Sequence, residues 1–518
     1  MPPKQTAQPA KGCGTCRARR IRCDRVVPSC VRCTRAGREC DGYGLRLSWP
    51  RDGDRRRAVV GPNPAKQQHG GDAARELQWI NVSSQDIEMH EYLADSSATF
   101  EFYLAPPKSI RDVMGRRRQA PQSSLPMSIN WMPWRLDANE MDLLRYFETV
   151  AVSALSTFGH EQAELRALLI RMCFSDNTAS ANAVLKAVLA LASVHQDGHQ
   201  DQATQLKLGA LRDLRMSMSN SDMCEVTAMK HVAAGMVLCS LEMQQPADAF
   251  NDWITYGCGI KHIIRTTQLI VSTNDNDSVV LLGWVHYHDV LGRFSMRHWR
   301  RTNLVGNCRQ GVGSQIVDVG ECFNSETPRP SSVAHEVLHL LSLVDEVILD
   351  PKHPEYHARD YRDRLSLLEW KLKKVPAMEP TDQRPLTPKS TIMAVVSELH
   401  RLATLTYLER ASGNEYPESH KVANWTNKAF RILSKLKACR WLFPLLIFGS
   451  EAHSDERRKL LLDLMSRTEK ETRGRSVECI RSLVESIWVQ DDLAVGELVY
   501  VNKLEAVLSS YSLLPVFV

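Results

Sequence analysis

From about residue 137 onward, apolar side chains recur at steps of three and four residues. Met141, Leu144 and Phe147 follow this spacing in DANEMDLLRYFETVAVSAL, a segment that begins with residues typical of a helix N-cap. The segment ANAVLKAVLALASVH, residues 181–195, is almost wholly apolar and predicts a buried helix. Strand-like alternation is rare along this part of the chain, so the pattern predicts one large all-α domain.

Further apolar runs of the same period predict additional helices. They lie near residues 202–218, 222–243, 278–297, 333–349, 356–374, 389–411, 421–439, 455–472 and 476–490. Two interruptions, 305–332 and the proline-rich 376–388, predict loops. The longest strongly apolar run, WLFPLLIF at 441–448, is far shorter than the ~18 residues that a membrane span needs, so we expect no membrane partner.

The region before the helical pattern has a different composition. Residues 41–75 are rich in glycine, proline and charge, which is typical of a tether, and we expect a flexible basic linker over 43–84. Its Arg55–Arg57 run is either a nuclear-import signal, an extra phosphate contact or simply solvated charge. Residues 85–104 hold five acidic residues and four aromatic residues and no Lys or Arg. Such a mixture occurs in activation segments, but we favour an amphipathic start to the helical domain over 85–518.

Charge is unevenly distributed along the 518 residues. The chain has 65 Lys and Arg against 60 Asp and Glu. Residues 1–60 hold 15 basic and 5 acidic residues, which leaves 50 basic and 55 acidic residues in the remainder. A basic N-terminal module on a mildly acidic body predicts a partner for that module alone, either a nucleic acid or an anionic surface.

Six of the 14 cysteines lie within residues 13–40. They form C-x2-C-x6-C twice: Cys13, Cys16 and Cys23, then Cys30, Cys33 and Cys40. Each member of the second half follows its equivalent by 17 residues, so we expect an approximate two-fold relation. Thiolate-bound zinc is almost always tetrahedral, so one zinc leaves two sulfurs idle, whereas two zincs need two bridging sulfurs. The repeat favours two ions, with one bridging sulfur from each half.

Three disulfide bonds in a small secreted domain are the alternative for these cysteines. That interpretation needs an export signal, but residues 1–12 are polar and contain no apolar stretch. We therefore expect a reducing compartment, in which the eight scattered cysteines act as small buried apolar residues.

The cysteine array closely resembles the fungal zinc binuclear cluster, the DNA-binding module of a large class of fungal transcription factors. The basic run RARRIR, the Cys23–Asp24 pair and Pro28 also fit, and the resemblance covers 11–42. It implies a metal-dependent module with two short helices. In that family the first and fourth cysteines bridge the metals. By this resemblance one zinc takes Cys13, Cys16, Cys23 and Cys30, and the other takes Cys13, Cys30, Cys33 and Cys40.

The arginines of the first half are the expected DNA contacts. The resemblance implies that Arg20, assisted by Arg19, reads a CGG-type triplet in the major groove of double-stranded DNA. Arginine forks match the O6 and N7 atoms of guanine. Arg17, Arg22 and Lys11 are then expected to contact phosphates.

The helical region more loosely resembles the regulatory domain that follows this cluster in many such factors. ALASVH and WLFPLLIFGSEA carry that similarity, and CRARRIRCD with DGYGLRLSW is similar to acriflavine-sensitivity control proteins. The resemblance implies a nuclear, sequence-specific RNA polymerase II transcription factor that contacts the transcription machinery. The resemblance further implies a pathway-specific regulator, either of a secondary-metabolite gene cluster or of drug or stress resistance, and no residue selects between the two. The chain shows no sustained heptad, so dimerisation through the large domain and binding of one triplet by a single chain both stay open.

One motif points toward enzymatic chemistry. HEVLH, residues 335–339, fits HExxH, in which two histidines bind zinc and the glutamate acts as a base. No third ligand is evident in the sequence, and neighbouring apolar residues supply an ordinary core stripe. We therefore expect no catalytic residue, and a zinc-dependent enzyme is the less favoured alternative.

Overall fold

The chain divides into two compact units, Met1–Leu77 and Gln78–Val518. The structure is a computed structural model. It describes residues 13, 15–16, 19, 21–26, 30–38, 40, 82–94, 136–155, 157–197, 200–219, 223–244, 252–270, 275–299, 328, 330, 332–349, 353–376, 388–413, 419–472, 476–494, 496, 498–511, 514–515 and 517.

The second half of the cysteine repeat forms one short helix in the first unit. Helix α1, Val31–Arg35, begins after Cys30, whose Sγ accepts a hydrogen bond from the backbone N–H of Cys33 at 3.3 Å. The helix closes at Gly37, where φ is +61° and where the Arg38 N–H donates to the carbonyl of Cys33 at 3.0 Å. Glycine adopts this left-handed conformation without a steric penalty, so it ends the helix here.

The described residues of the first half repeat part of this hydrogen-bond pattern. Thr15 and Cys16 are helical, and the Ile21 N–H donates to the Cys16 carbonyl at 3.0 Å. This bond is the equivalent of the Arg38–Cys33 bond, 17 residues earlier in the chain. The predicted short helix of the second half is confirmed, and Thr15 and Cys16 are the helical residues described in the first half.

The described residues of the second unit form α-helices, one short 3-10 helix (Ala151–Ala154) and connecting turns and loops, and they contain no β-strand. Its α-helices are α2 (Ser84–Ala94), α3 (Ala138–Thr149), α4 (Gln162–Cys173), α5 (Ala179–Asp197), α6 (Gln200–Ser219), α7 (Glu225–Gln244), α8 (Asp252–Thr266), α9 (Asn276–His298), α10 (Val333–Val347), α11 (Arg359–Lys374), α12 (Pro388–Ala411), α13 (Ser419–Leu433), α14 (Leu442–Ser450), α15 (Asp455–Thr472), α16 (Ser476–Leu493) and α17 (Tyr500–Ser509). The predicted all-α domain is confirmed. No helix within the described part of the chain combines the length and apolar character that crossing a bilayer requires.

The helices predicted from periodicity are present, although some ends differ. The helix expected over 356–374 begins at Arg359, and the one expected over 421–439 ends at Leu433. Four helices were not predicted: α4, α8, α14 and α17. Most of the two predicted loops, 305–332 and 376–388, lies outside the described residues.

Local signals explain where helices begin. Asp137 accepts a hydrogen bond from the N–H of Glu140 at 2.7 Å, and the Glu140 carboxylate accepts one from the N–H of Asp137 at 3.2 Å. This capping box satisfies two otherwise unpaired donors at the start of α3. Helix α5 is buried along nearly its whole length, as its apolar sequence predicts.

Two apolar cores share helix α9. Leu281 and Trp284 pack in the first core, with α3, α4, α5 and α7. Tyr287 and Phe294 pack in the second core, with the helices from α10 onward. One continuous helix therefore forms part of both cores.

Polar contacts also join the two cores near the start of α14. The Arg440 guanidinium donates to the carbonyl of Ser153 at 3.4 Å and to Oε1 of Gln162 at 3.3 Å. The Trp441 indole N–H donates to the carbonyl of Thr157 at 3.3 Å. These bonds tie the beginning of α14 to the segment between α3 and α4.

Helix α2 packs against the C-terminal helices. Met89 is 1% exposed, and the Gln490 side chain donates to the Asp86 carbonyl at 2.8 Å. The Ser486 hydroxyl donates to Oδ1 of Asp86 at 3.3 Å. For residues 84–94, these contacts favour the hypothesis that the segment is the amphipathic start of the helical domain. They argue against an activation segment at these residues.

Histidines are buried within the second core. His400 is fully buried, its Nδ1 lies 2.9 Å from the Val396 carbonyl, and its ring centroid lies 4.4 Å from that of Phe158. Burial lowers the pKa of His400 to about 4. Burial, reinforced by the nearby His160, lowers the pKa of His335 to about 3. Both imidazoles are therefore neutral in the folded protein at neutral pH.

We expect the free energy of unfolding to fall as the pH drops below about 6.5, the ordinary pKa of an unfolded histidine. The unfolded state takes up the proton first, because the folded pKa values are lower. His335 and His400 each contribute about 1.4 kcal/mol to this loss at about pH 5.5. Urea unfolding at pH 7.5 and 5.5 measures it. His400→Phe should lose less stability between the two pH values, whereas His262→Phe, at an exposed position on α8, should match the wild type. An unchanged pH dependence in His400→Phe would contradict this account.

Candidate metal centre

The six N-terminal cysteines converge on two overlapping groups of four sulfurs. Within each group the sulfur atoms all lie within 4.8 Å of one another, and both groups contain Cys13 and Cys30. The first group adds Cys16 and Cys23, and the second adds Cys33 and Cys40. The structure thus brings together all six cysteines that the spacing singled out.

Distances between the sulfurs fit tetrahedral zinc. Zinc–sulfur bonds of about 2.3 Å place the sulfurs of one tetrahedral site about 3.8 Å apart. The Sγ atoms of Cys13 and Cys30 are 3.6 Å apart, as are those of Cys16 and Cys30, while those of Cys13 and Cys33 are 3.8 Å apart. All six cysteines are free thiols, which excludes the disulfide alternative in this structure.

Backbone N–H groups point at the sulfurs in a pattern that repeats between the halves. Four N–H···S contacts form two equivalent pairs: Cys13 N to Cys23 Sγ (3.4 Å) with Cys30 N to Cys40 Sγ (3.5 Å), and Cys16 N to Cys13 Sγ (3.4 Å) with Cys33 N to Cys30 Sγ (3.3 Å). Such donors favour the thiolate form that binds metal. The sequence repeat is therefore also a repeat of sulfur environments.

Burial makes metal-free thiols of this module hold their protons. Desolvation raises the pKa of Cys30 to about 12 and also raises that of Cys16. Metal binding must displace these protons, because only thiolates are ligands. Zinc affinity of such a site consequently rises with pH.

Asp24 connects the two halves of the module. Three backbone N–H groups donate to its carboxylate: those of Val26 (3.2 Å), Val31 (3.2 Å) and Arg32 (2.9 Å). Desolvation opposes ionisation of Asp24, but these bonds outweigh it and lower its pKa. The carboxylate thus fixes the start of α1 from the residue after Cys23. The Cys23–Asp24 pair was noted in the sequence, but its linking role emerges only from the fold.

The structure describes two of the five residues that are predicted to contact DNA. Arg19 and Arg22 are exposed. Lys11, Arg17 and Arg20 lie outside the described residues. Exposed arginines also occur in the second half, at Arg32, Arg35 and Arg38.

The HEVLH segment lies on α10 and its first histidine belongs to the core. His335 is fully buried, its Nδ1 lies 2.7 Å from the Ser332 hydroxyl, and Glu336 is exposed. Among the described residues, only the N-terminal cysteines form groups of three or more ligands close enough to hold a metal ion.

Two four-sulfur sites that share two cysteines define a binuclear zinc cluster. The fungal Zn(2)-Cys(6) binuclear cluster domain matches residues 11–50, and the fungal specific transcription factor domain matches residues 142–502. The latter covers more than half of the chain. The chain therefore belongs to the fungal transcription factors that carry this cluster and this helical domain, and its cluster binds two zinc ions.

The known proteins to which this chain is similar are consistent with this family assignment. Transcription factor iacI of Pestalotiopsis fici is 33% identical over 400 residues, which is 76% of this chain and 100% of that protein. Acriflavine sensitivity control protein acr-2 of Neurospora crassa is 45% identical over 53 residues, 10% of this chain and 9% of that protein. The aspercryptin biosynthesis cluster-specific transcription regulator atnN of Emericella nidulans is 59% identical over 32 residues, 6% of this chain and 5% of that protein. No solved structure matches the chain.

We expect Asp24→Ala to accelerate zinc release several-fold, because three N–H groups lose their acceptor and α1 loses its connection to the first half. Transfer of zinc from the full-length protein to a colorimetric chelator measures the rate. Arg35→Ala, at an exposed position on the same helix, is the control and should release zinc at the wild-type rate. Equal rates for all three proteins would show that the carboxylate does not hold the halves together.

Proposed function

We propose that this transcription factor acts in the nucleus by binding CGG-type triplets in double-stranded DNA through the first half of its zinc cluster. The observation that carries the proposal is the pair of sulfur groups sharing Cys13 and Cys30. A chain segment with so few apolar residues folds only if metal binding supplies free energy, on the order of 10 kcal/mol per zinc. Its polar side chains are then available for DNA.

The proposed zinc ligands follow the two sulfur groups. Cys13, Cys16, Cys23 and Cys30 hold one ion, and Cys13, Cys30, Cys33 and Cys40 hold the other. Cys13 and Cys30 therefore bridge both ions. The short sulfur–sulfur distances and the repeated N–H···S contacts support this assignment.

The proposed base reader is Arg20, with Arg19 assisting, and Arg17, Arg22 and Lys11 contact phosphates. Four arginines lie between Cys16 and Cys23, whereas two lie between Cys33 and Cys40. The higher positive charge of the first half favours it as the DNA-facing side. The exposure of Arg19 and Arg22 is consistent with these roles.

We further propose a cluster module over 11–42, a flexible linker over 43–84 and a regulatory domain over 85–518. The helical domain would contact the transcription machinery, and its self-association would set whether one or two triplets are bound. The name of atnN describes a regulator specific to one biosynthesis cluster, which supports a pathway-specific role here. We infer no enzymatic activity, because the buried His335 packs as a core residue.

We expect Cys13→Ala to lose both zinc ions and all sequence-specific binding, because it removes a sulfur from both sites. The number of zinc ions per chain, measured by inductively coupled plasma mass spectrometry, tests this expectation. Cys224→Ala, at an exposed cysteine of the helical unit, should retain two ions. If Cys13→Ala also kept two ions and bound its selected site, the bridging assignment would be wrong.

We expect Arg20→Ala to reduce discrimination between a selected CGG-containing duplex and a scrambled one by about 1–3 kcal/mol, because a bidentate base contact is lost. Arg17→Ala should instead weaken both duplexes alike and lower the slope of log affinity against log salt by about one. Fluorescence anisotropy titrations at several salt concentrations separate the two effects. An unchanged preference in Arg20→Ala would exclude Arg20 as the reader.

A further inference from the structure

Helix α11 presents a continuous stripe of side chains on its outward face. Its inward face packs into the second core through four buried residues: Tyr361, Leu365, Leu368 and Leu372. Four exposed residues lie on the opposite face, and we call them the α11 stripe: Asp363, Leu367, Trp370 and Lys374. The core that holds the helix in place therefore makes no use of these four side chains.

The middle of the stripe is apolar and exposed to solvent. Leu367 is 50% exposed and Trp370 is 53% exposed. Single exposed apolar residues are common on protein surfaces, but residues three positions apart on a helix are neighbours, so these two form one patch. The Lys374 ammonium lies 4.4 Å from the centroid of the Trp370 ring, yet the indole stays more than half exposed. The patch is therefore accessible to a partner.

The two ends of the stripe carry opposite charges. Asp363 and Lys374 are eleven residues apart, which is about 16 Å along a helix, so they do not pair within one chain. The Nε atom of Arg359 lies 3.9 Å from Oδ2 of Asp363, but these side chains are 89% and 71% exposed, and exposed pairs of this kind are weak. Asp363 can therefore accept a second cation.

The spacing within the stripe is the same when it is read from either end. Successive members are separated by four, three and four residues, the steps at which packed helices interdigitate. In two copies that lie antiparallel about a two-fold axis, each Asp363 meets the Lys374 of the other copy, and each Leu367 meets the other Trp370. Parallel copies would place like charges together, which is unfavourable. The stripe is therefore complementary to a second copy of itself in the antiparallel orientation.

We propose that this transcription factor forms a symmetric homodimer in which the α11 stripes of two chains pack antiparallel. This dimer assigns a surface to the self-association proposed above and rests on that part of the proposed function. A two-fold contact uses the same patch on both chains, so it closes at two copies. Two chains joined in this way bring two zinc modules to one DNA duplex.

The size of α11 limits the strength of this dimer. Its 16 residues span about 24 Å, and one pair of such helices buries less than the roughly 1,200–2,000 Å² of a standard stable interface. The dimer is therefore reversible on dilution. Because exposed charge pairs close both of its ends, it also weakens as the salt concentration rises.

Sedimentation velocity of the zinc-loaded, full-length protein without DNA tests for this dimer. We expect the average mass to rise from one chain toward two as the protein concentration increases through the micromolar range. Raising the salt to about 1 M, where charges are screened beyond about 3 Å, should shift the equilibrium back toward the monomer. A chain that stays monomeric at every concentration, as it would if the stripe met a different protein, would overturn the proposal.

Charge reversal at either end of the stripe should weaken the dimer by about ten-fold or more, because Asp363→Lys opposes two lysines and Lys374→Asp opposes two aspartates. An equimolar mixture of these two variants should associate with nearly wild-type affinity, since each chain then offers the charge that the other needs at both ends. Arg362→Asp is the matched control. Arg362 is exposed on α11 but is turned about 100° away from Asp363, and the substitution changes the charge as Lys374→Asp does. This control should dimerise like the wild type.

Recovery in the mixture depends on the antiparallel pairing of Asp363 with Lys374. Wild-type dimerisation of both single variants would show that the chains associate through another surface. Failure of the mixture to recover would exclude the antiparallel arrangement. Either result would overturn the proposal, whereas the Arg20→Ala test of DNA reading would be unaffected by it.

Leu367→Glu should also weaken the dimer by about ten-fold or more, because it places a charge in the apolar middle of the interface on both chains. Leu208→Glu is its matched control, since Leu208 is 45% exposed on α6 and lies outside the stripe. Thermal unfolding of every variant verifies folding. Equal dimerisation by the two leucine variants would overturn the proposal, and the exposed charge variants keep it testable if Leu367→Glu does not fold.

Discussion

Bonds between thiolates and metal are the constraint on which the N-terminal module depends. Its buried cluster consists of Cys13, Cys16, Cys30 and Cys33, with Ile21, Cys23 and Cys40 packed against it. An interior made almost entirely of sulfur offers little hydrophobic stabilisation, and its buried thiols favour the protonated form. Zinc offsets both the weak hydrophobic stabilisation and the preference for protonated thiols, because it replaces the thiol protons and joins the two halves. The helical unit is stabilised differently, by two large apolar cores.

The two halves of the module share a backbone and differ in their side chains. The N–H···S contacts and the helix-closing hydrogen bonds repeat at an offset of 17 residues. Arginines do not repeat in the same way, since four occupy the first inter-ligand segment and two the second. An approximately symmetric scaffold thus presents an asymmetric charge, and the proposed DNA contacts lie on only one of the two halves. Asp24 adds a connection between the halves through hydrogen bonds, beside the one made by the shared sulfurs.

Much of this organisation was predictable from the sequence, for identifiable reasons. Cysteine spacing determines the metal chemistry, because few arrangements of six thiolates satisfy tetrahedral ions. Long amphipathic or wholly apolar runs predicted most helices. Helix α14 was not predicted because its sequence, LFPLLIFGS, has no polar face and contains a proline, which the first helical turn tolerates. Helix α8 contains two glycines, which weaken the local signal, and tertiary packing stabilises it nonetheless. The partners of Asp24 lie within eight residues of it, but they meet its carboxylate only because the chain folds back there, which periodicity does not encode.

Helix α9 belongs to both cores, and this limits where the chain can be cut or recombined. Leu281 and Trp284 serve one core, and Phe294, three turns further along, serves the other. Recombination or truncation near the middle of the chain would leave each fragment with an exposed apolar surface in place of its missing wall. We therefore expect the helical unit to fold only as one block, whereas the stability of the short zinc module depends on its own metal ions.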